Sequence, residues 1–138
     1  NVLARLREYD LASKDFGRAI ELNPRDAHAY NNRCWVNVAL RLGQMAISDC
    51  DEALRLRSDY ADAYDSRGLA NLMLGRLDAA ISDFNEALRL KPRLATSLYG
   101  RGLAYKRQGR TSAGNADMKA ATTIDPVIRE ELESYGIR

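Results

Sequence analysis

Apolar residues recur at spacings of three and four along most of the chain. In Ala79-Ala80-Ile81, Phe84, Ala87-Leu88 and Leu90 they form one stripe, as the buried face of a helix does. The strict alternation that marks a half-buried strand is absent. Two kinds of break interrupt the stripes. Gly75 and Gly109 suit the left-handed end of a helix, and Pro24, Pro92 and Pro126 stand where one helix cannot continue and the next begins. The pattern predicts pairs of antiparallel helices joined by short turns.

Aligning the chain on itself gives a period of 34 residues. Residues 27–60, 61–94 and 95–128 are full units, 1–26 is the trailing part of a fourth, and 129–138 is a tail. The columns are Ala12, Ala46, Ala80 and Gly114; Ala19, Ala53, Ala87 and Ala121; Leu22, Leu56, Leu90 and Ile124; Pro24, Ser58, Pro92 and Pro126. The unit with Tyr64, Arg67-Gly68, Ala70, Leu74-Gly75, Leu77, Ala80-Ile81, Phe84, Ala87-Leu88, Leu90 and Pro92 resembles the tetratricopeptide repeat. The resemblance extends over Asn1–Ile128 and marks the chain as a fragment of a bacterial-type array. It implies an all-α fold, a right-handed superhelical solenoid of helix pairs whose first helices line a concave face. Small residues at Cys34, Gly68 and Gly102 let first helices approach second helices at Ala46, Ala80 and Gly114, with Phe16, Cys50, Phe84 and Met118 filling the layer beside them.

Some positions depart from the pattern. Gly43 falls two residues after the column of Gly75 and Gly109, which predicts a longer first helix or a tighter turn in that unit. Gly114 and Thr122 predict that the last hairpin is the loosest. Asn1–Leu6 has room for a short helical piece packed on Tyr9–Leu22, with an exposed edge at Leu3, Leu6 and Phe16. The tail predicts a capping helix from Ile128 to Tyr135, ended by Gly136, with Leu132 and Tyr135 turned inward.

Composition narrows the chemistry. Lys and Arg number 21 against 19 Asp and Glu, a formal charge of +2, so there is no basic excess to drive nucleic-acid binding. No apolar run approaches the roughly 20 residues needed to cross a bilayer. With one His and two Cys, neither a metal site nor a cofactor is predicted. His28 has no nucleophile motif beside it and reads as a surface residue, so the chain is not expected to be an enzyme. No leader can be read at Asn1, and the compartment stays open between cytoplasm and periplasm. Cys34 and Cys50 share one layer of one hairpin, where an oxidising compartment would link them; free thiols are the expectation.

Arg33, Arg67 and Arg101 precede Asp49, Asp83 and Asp117 by 16 residues in every unit. Such regularity predicts structural ion pairs within each hairpin, with Asp15 left without a partner. By the resemblance, the concave face holds Asn31, Trp35, Asp62, Asp65, Leu69, Met73, Tyr99, Leu103, Lys106 and Arg107. Its apolar members suit a protein or peptide ligand, with Trp35 and Tyr99 as anchors and the acidic and basic pairs setting direction. The competing reading turns part of the stripe, Val38 and Leu72 first, into the core. The subtype of the family that grips acidic chaperone tails uses Lys, Asn and Arg at set points. Here those points hold Asn31, Trp35, Ser66, Thr96 and Gly100, or, one unit earlier, Asn1 and Asn32 with Asp62 and Ser66 in place of the basic residues, so that clamp is missing. The function implied is a protein-interaction scaffold. The alternative is a structural segment of a longer array, or a homo-oligomer, stacking through the open amino-terminal repeat.

Overall fold

Side chains start the first two helices. Asn1 Oδ1 accepts from the Leu3 and Ala4 amides at 2.9 and 3.4 Å, and Asp26 Oδ1 accepts from the Ala29 amide at 3.1 Å. In the computed structural model, which describes all of residues 1–138, these open α1 (Val2–Leu22) and α2 (Ala27–Ala39). Next along the chain come α3 (Gly43–Leu56), α4 (Ala61–Met73), α5 (Leu77–Leu90), α6 (Ala95–Arg107), α7 (Thr111–Ile124) and α8 (Ile128–Ser134). Helices α2 and α3, α4 and α5, and α6 and α7 pair as hairpins, and the first helices α2, α4 and α6 also touch in succession. The hairpins wind into a right-handed all-α solenoid with the first helices on its inner face.

The turns inside the hairpins share one geometry. Leu42, Arg76 and Arg110 donate backbone bonds to Asn37, Asn71 and Tyr105 carbonyls at 2.8, 2.9 and 2.8 Å, each closing the helix five residues back. The residue before each donor is left-handed: Gly75 at φ 76°, Gly109 at φ 82° and Arg41 at φ 62°. This corrects the reading of Gly43. Helix α2 has 13 residues, as α4 and α6 do, and its turn is no tighter; Arg41 takes the strained position instead. Gly43 is free for another use. It is buried at the start of α3, where a Cβ would lie 3.0 Å from Leu74 Cγ.

A second correction concerns α1. Asn1–Leu6 is no separate piece but the first part of a continuous 21-residue helix. Arg7 stands where the other full turns place a left-handed residue.

The hairpins are closed by three different devices. Phe84, wholly buried, sits between Gly68 and Gly100, where an added Cβ would come within 2.6 and 2.5 Å of its ring. Between α6 and α7, Gly102 and Gly114 bring the backbones together, a Cβ at Gly114 lying 2.6 Å from the Gly102 carbonyl oxygen. In the α2–α3 hairpin Cys34 and Cys50 are joined by a disulfide, with Cα atoms 5.5 Å apart, and are not the free thiols expected. Their columns hold Gly68 and Phe84 one unit on, so the two sulfurs bridge a gap that a ring fills elsewhere.

Candidate functional site

The arginine column holds the helices that carry the concave face. Arg33 donates to Asp49 through Nε and Nη2 at 2.9 and 2.7 Å, Arg67 to Asp83 at 3.1 and 2.7 Å, and Arg101 to Asp117 at 2.7 and 2.8 Å. Asn37 and Asn71 complete the buried carboxylates, donating to Asp49 and Asp83 at 3.0 and 2.9 Å. Two of the arginines also reach backward. Arg67 Nη1 donates to Asp51 at 3.0 Å and Arg101 Nη1 to Asn85 Oδ1 at 2.9 Å, each in the preceding unit. The corresponding residue before Arg33 is Gly17, which has no side chain to receive it. Asp15 is exposed.

The residues expected on the concave face divide into two groups. Asn31, Trp35, Asp62 and Asp65 line an open cleft of about 620 Å³, together with Glu8, Tyr9, Ala12 and Phe16 of α1, Asn32, Val36 and Ser66. Glu8 and Tyr9 lie outside the expected face, because the repeat frame puts α1 among the second helices. The signal for them lies in Ala12 and Phe16. These belong to columns that elsewhere face a first helix, and here that side of α1 is a wall of the cleft.

The floor of the cleft is polar and bonded across units. Ser66 Oγ donates to Asn31 Oδ1 at 3.2 Å, and Asn31 Nδ2 donates to the Tyr60 hydroxyl at 3.4 Å, which also meets His28 Nδ1 at 2.7 Å. Asp65, 8% exposed, accepts from Ser97 Oγ at 2.6 Å and Thr96 Oγ1 at 2.8 Å. Burial pushes its carboxyl up to about 6, and the two hydroxyl bonds offset only part of that rise. No cation is bonded to it. Lys91 reaches Asp62 instead, at 3.2 Å.

The other group is covered. Leu69 and Tyr99 are buried at 1% and 6% exposure, in one cluster with Leu72, Ile128, Leu132 and Ile137, and Met73, Leu103 and Tyr135 pack against it. Val38 and Leu72 are wholly buried as well. The cover is the tail. Helix α8 packs on α6 and α7, and the chain then crosses the concave face to α2. There the Tyr135 ring meets the Trp35 ring edge-on, with centroids 5.6 Å apart, and Gly136, at φ 80°, lies against the Arg41 side chain. Trp35 meets Tyr9 in the same manner from the cleft, at 5.7 Å. Arg107 is engaged by the Leu72 and Arg138 carbonyls. Lys106 is exposed, and its stem runs beside Gly114, toward α7.

Comparisons with known proteins agree with this architecture. Tetratricopeptide-repeat family models match residues 1–61 and 95–128, and a TPR repeat model matches residues 72–109. The structure of TTC0263, a thermophilic TPR protein of Thermus thermophilus, is 28% identical, with 96% of this chain and 76% of that chain covered at a TM-score of 0.80. The Arabidopsis OM64 TPR domain is 31% identical over 72% of this chain and 83% of its own, with a TM-score of 0.70. The first TPR of Spaghetti (RPAP3), bound to the HSP90 peptide SRMEEVD, is 25% identical over 76% and 83% at a TM-score of 0.72. No curated protein sequence matches significantly.

Proposed function

The chain belongs to the tetratricopeptide-repeat family, and from that premise we propose that it is a binding scaffold without catalysis of its own, which holds a segment of a partner protein on its concave face. The observation that carries the reading is the open cleft. Its walls are Tyr9 and Trp35, and Glu8, Asp62 and Asp65 line it; Asp62 is shared with Lys91, and no cation is bonded to Asp65. Aromatic faces beside carboxylates suit a Lys or Arg side chain, held by cation–π contact and by charge. The ligand is therefore a segment with a basic residue seated between Trp35 and Asp65 and apolar neighbours against Tyr9 and Phe16. A relative that binds the acidic peptide SRMEEVD supports peptide binding as a use of this fold. The lining found here favours the opposite charge.

The test is a fluorescence-anisotropy titration with two labelled peptides of equal apolar content, one carrying Arg and the other Glu at the same place. The Arg peptide should bind at least tenfold more tightly at low salt. Trp35→Ala should remove about 2 kcal/mol or more of its binding while circular dichroism stays unchanged. Equal affinity for both peptides, or unfolding of the Trp35 variant, would sink the reading.

A second reading rests on the uncovered side of α1. Val2, Leu3 and Leu11 are 71%, 77% and 55% exposed, and Ala12 and Phe16 line the open cleft. A helix laid there, from a second copy or another hairpin, would complete the partial unit. Light scattering across a concentration series separates the two readings, since stacking through α1 predicts a concentration-dependent mass.

A further inference from the structure

Residues Ile128–Arg138 sit on the concave face as a bound segment would. Ile128, Leu132 and Ile137 are 1%, 0% and 2% exposed, whereas Arg129, Glu130, Glu131, Ser134 and Gly136 face solvent. Those apolar side chains and the Tyr135 ring against Trp35 hold the segment, with few polar bonds beside them. Its own polar groups bond to one another, Arg129 to Glu133 at 3.0 Å and Ser134 to the Glu131 carbonyl at 2.5 Å. One hydrogen bond ties it to the repeat helices, from the Arg107 guanidinium to the Arg138 carbonyl. Helix α8 has seven residues and no side-chain cap, so it owes its order to the surface beneath it. The gain from burying three aliphatic side chains and packing the Tyr135 ring is offset in large part by ordering eleven residues.

We propose that this segment is an exchangeable occupant of the far half of the concave face. The partner that half accepts is a segment of the same build from another chain: a short helix with aliphatic residues four apart, an aromatic three residues later, and an aliphatic after a left-handed turn. Because Tyr135 and Tyr9 pack on the same Trp35 ring, release of the tail also unpacks one side of the open cleft. The inference rests on the reading that the concave face binds protein segments, and it names the occupant of the half that the cleft leaves out.

The experiment uses the full chain and its one tryptophan, Trp35. A labelled peptide of residues 126–138 is titrated into the native chain and into a Tyr135→Ala, Ile137→Asp variant, with a Leu132→Asp, Ile137→Asp peptide as control. Tail release in the variant should shift Trp35 emission to longer wavelength and speed hydrogen exchange in 128–138. The variant should then bind the native peptide at least tenfold more tightly than the native chain does, and the control peptide should bind neither. A released tail without tighter binding overturns the proposal, and so does a tail that stays protected in the variant. If the double variant fails to fold, Gly136→Val takes its place, since it blocks the left-handed turn without altering a repeat helix. Unfolding of that variant too would make the tail an integral part of the fold and overturn the proposal. The Arg peptide, titrated into the same proteins, keeps the two ideas apart. Its binding to the native chain while the tail peptide binds none defeats this inference alone, and the reverse result defeats the basic-ligand reading alone.

Discussion

The near and far halves of the concave face grow from the same columns of the repeat and end in opposite states. One column reads Asn31, Asp65, Tyr99, and its neighbour reads Trp35, Leu69, Leu103. In the near half the polar members are bonded by hydroxyls of the next unit, Ser66 to Asn31 and Ser97 to Asp65, and the surface stays open. At Tyr99 the element stacked next is α8, and the aromatic ring is buried beside it. In a repeat architecture a face is thus decided column by column, and the neighbour stacked on a unit matters as much as the unit itself.

The comparison breaks most severely if the near half loses its cross-link. The Cys34–Cys50 disulfide closes a loop spanning 16 residues, and its reduction should cost about 3 kcal/mol, read from urea midpoints with and without reductant. The loss should speed hydrogen exchange in α2 and α3 and leave α6 and α7 protected. Equal loss throughout would mean that the two halves unfold as one.

Asp65 sharpens the contrast by charge. Its carboxyl is raised from an ordinary 3.8 to about 6 by burial, so the folded state binds the proton more tightly than the unfolded one. The stability this confers is fully present below pH 4 and is lost as pH rises through 6. Asp65→Asn should therefore stabilise the protein at pH 7.5 by about 1 to 3 kcal/mol and flatten this part of the pH dependence, as melting temperatures between pH 4 and 8 will show. The same variant should weaken the Arg peptide. A variant with an unchanged pH profile would place the titration elsewhere.

The smallest effect belongs to Arg41, whose left-handed backbone supports the near half where Gly75 supports the next hairpin. Arg41→Gly should stabilise by about 0.5 to 1 kcal/mol in denaturant, and Gly75→Arg should cost at least as much. Destabilisation by Arg41→Gly would show that the Arg41 side chain against Gly136 outweighs the backbone strain.

The period of 34 makes the hairpins, the small-residue columns and the Arg–Asp pairs legible, because each rests on residues that recur at fixed offsets. A feature that occurs once stays hidden. Arg41 replaces a glycine in a turn whose backbone bonds are unchanged, and only those bonds reveal it. Asn37 and Asn71 show their use only in the bonds they donate to Asp49 and Asp83. Trp35, Asn31, Asp62 and Asp65 come together as the repeat frame implies, but Glu8 and Tyr9 depend on α1 running straight through Arg7. The tail lies outside the period altogether. Its amphipathic pattern announces a cap, while the path of Tyr135 to Trp35 depends on a groove whose shape no single unit encodes.

The arginine column also has a mechanical consequence. Arg67 and Arg101 each tie two adjacent hairpins, like rivets through overlapping plates, whereas Arg33 faces Gly17 and ties one. Under a load along the solenoid axis, the later joints share the strain between neighbours, and the joint between α1 and α2 carries its share on apolar packing alone. That joint should be the first to slip, while the joints riveted by Arg67 and Arg101 still bear tension.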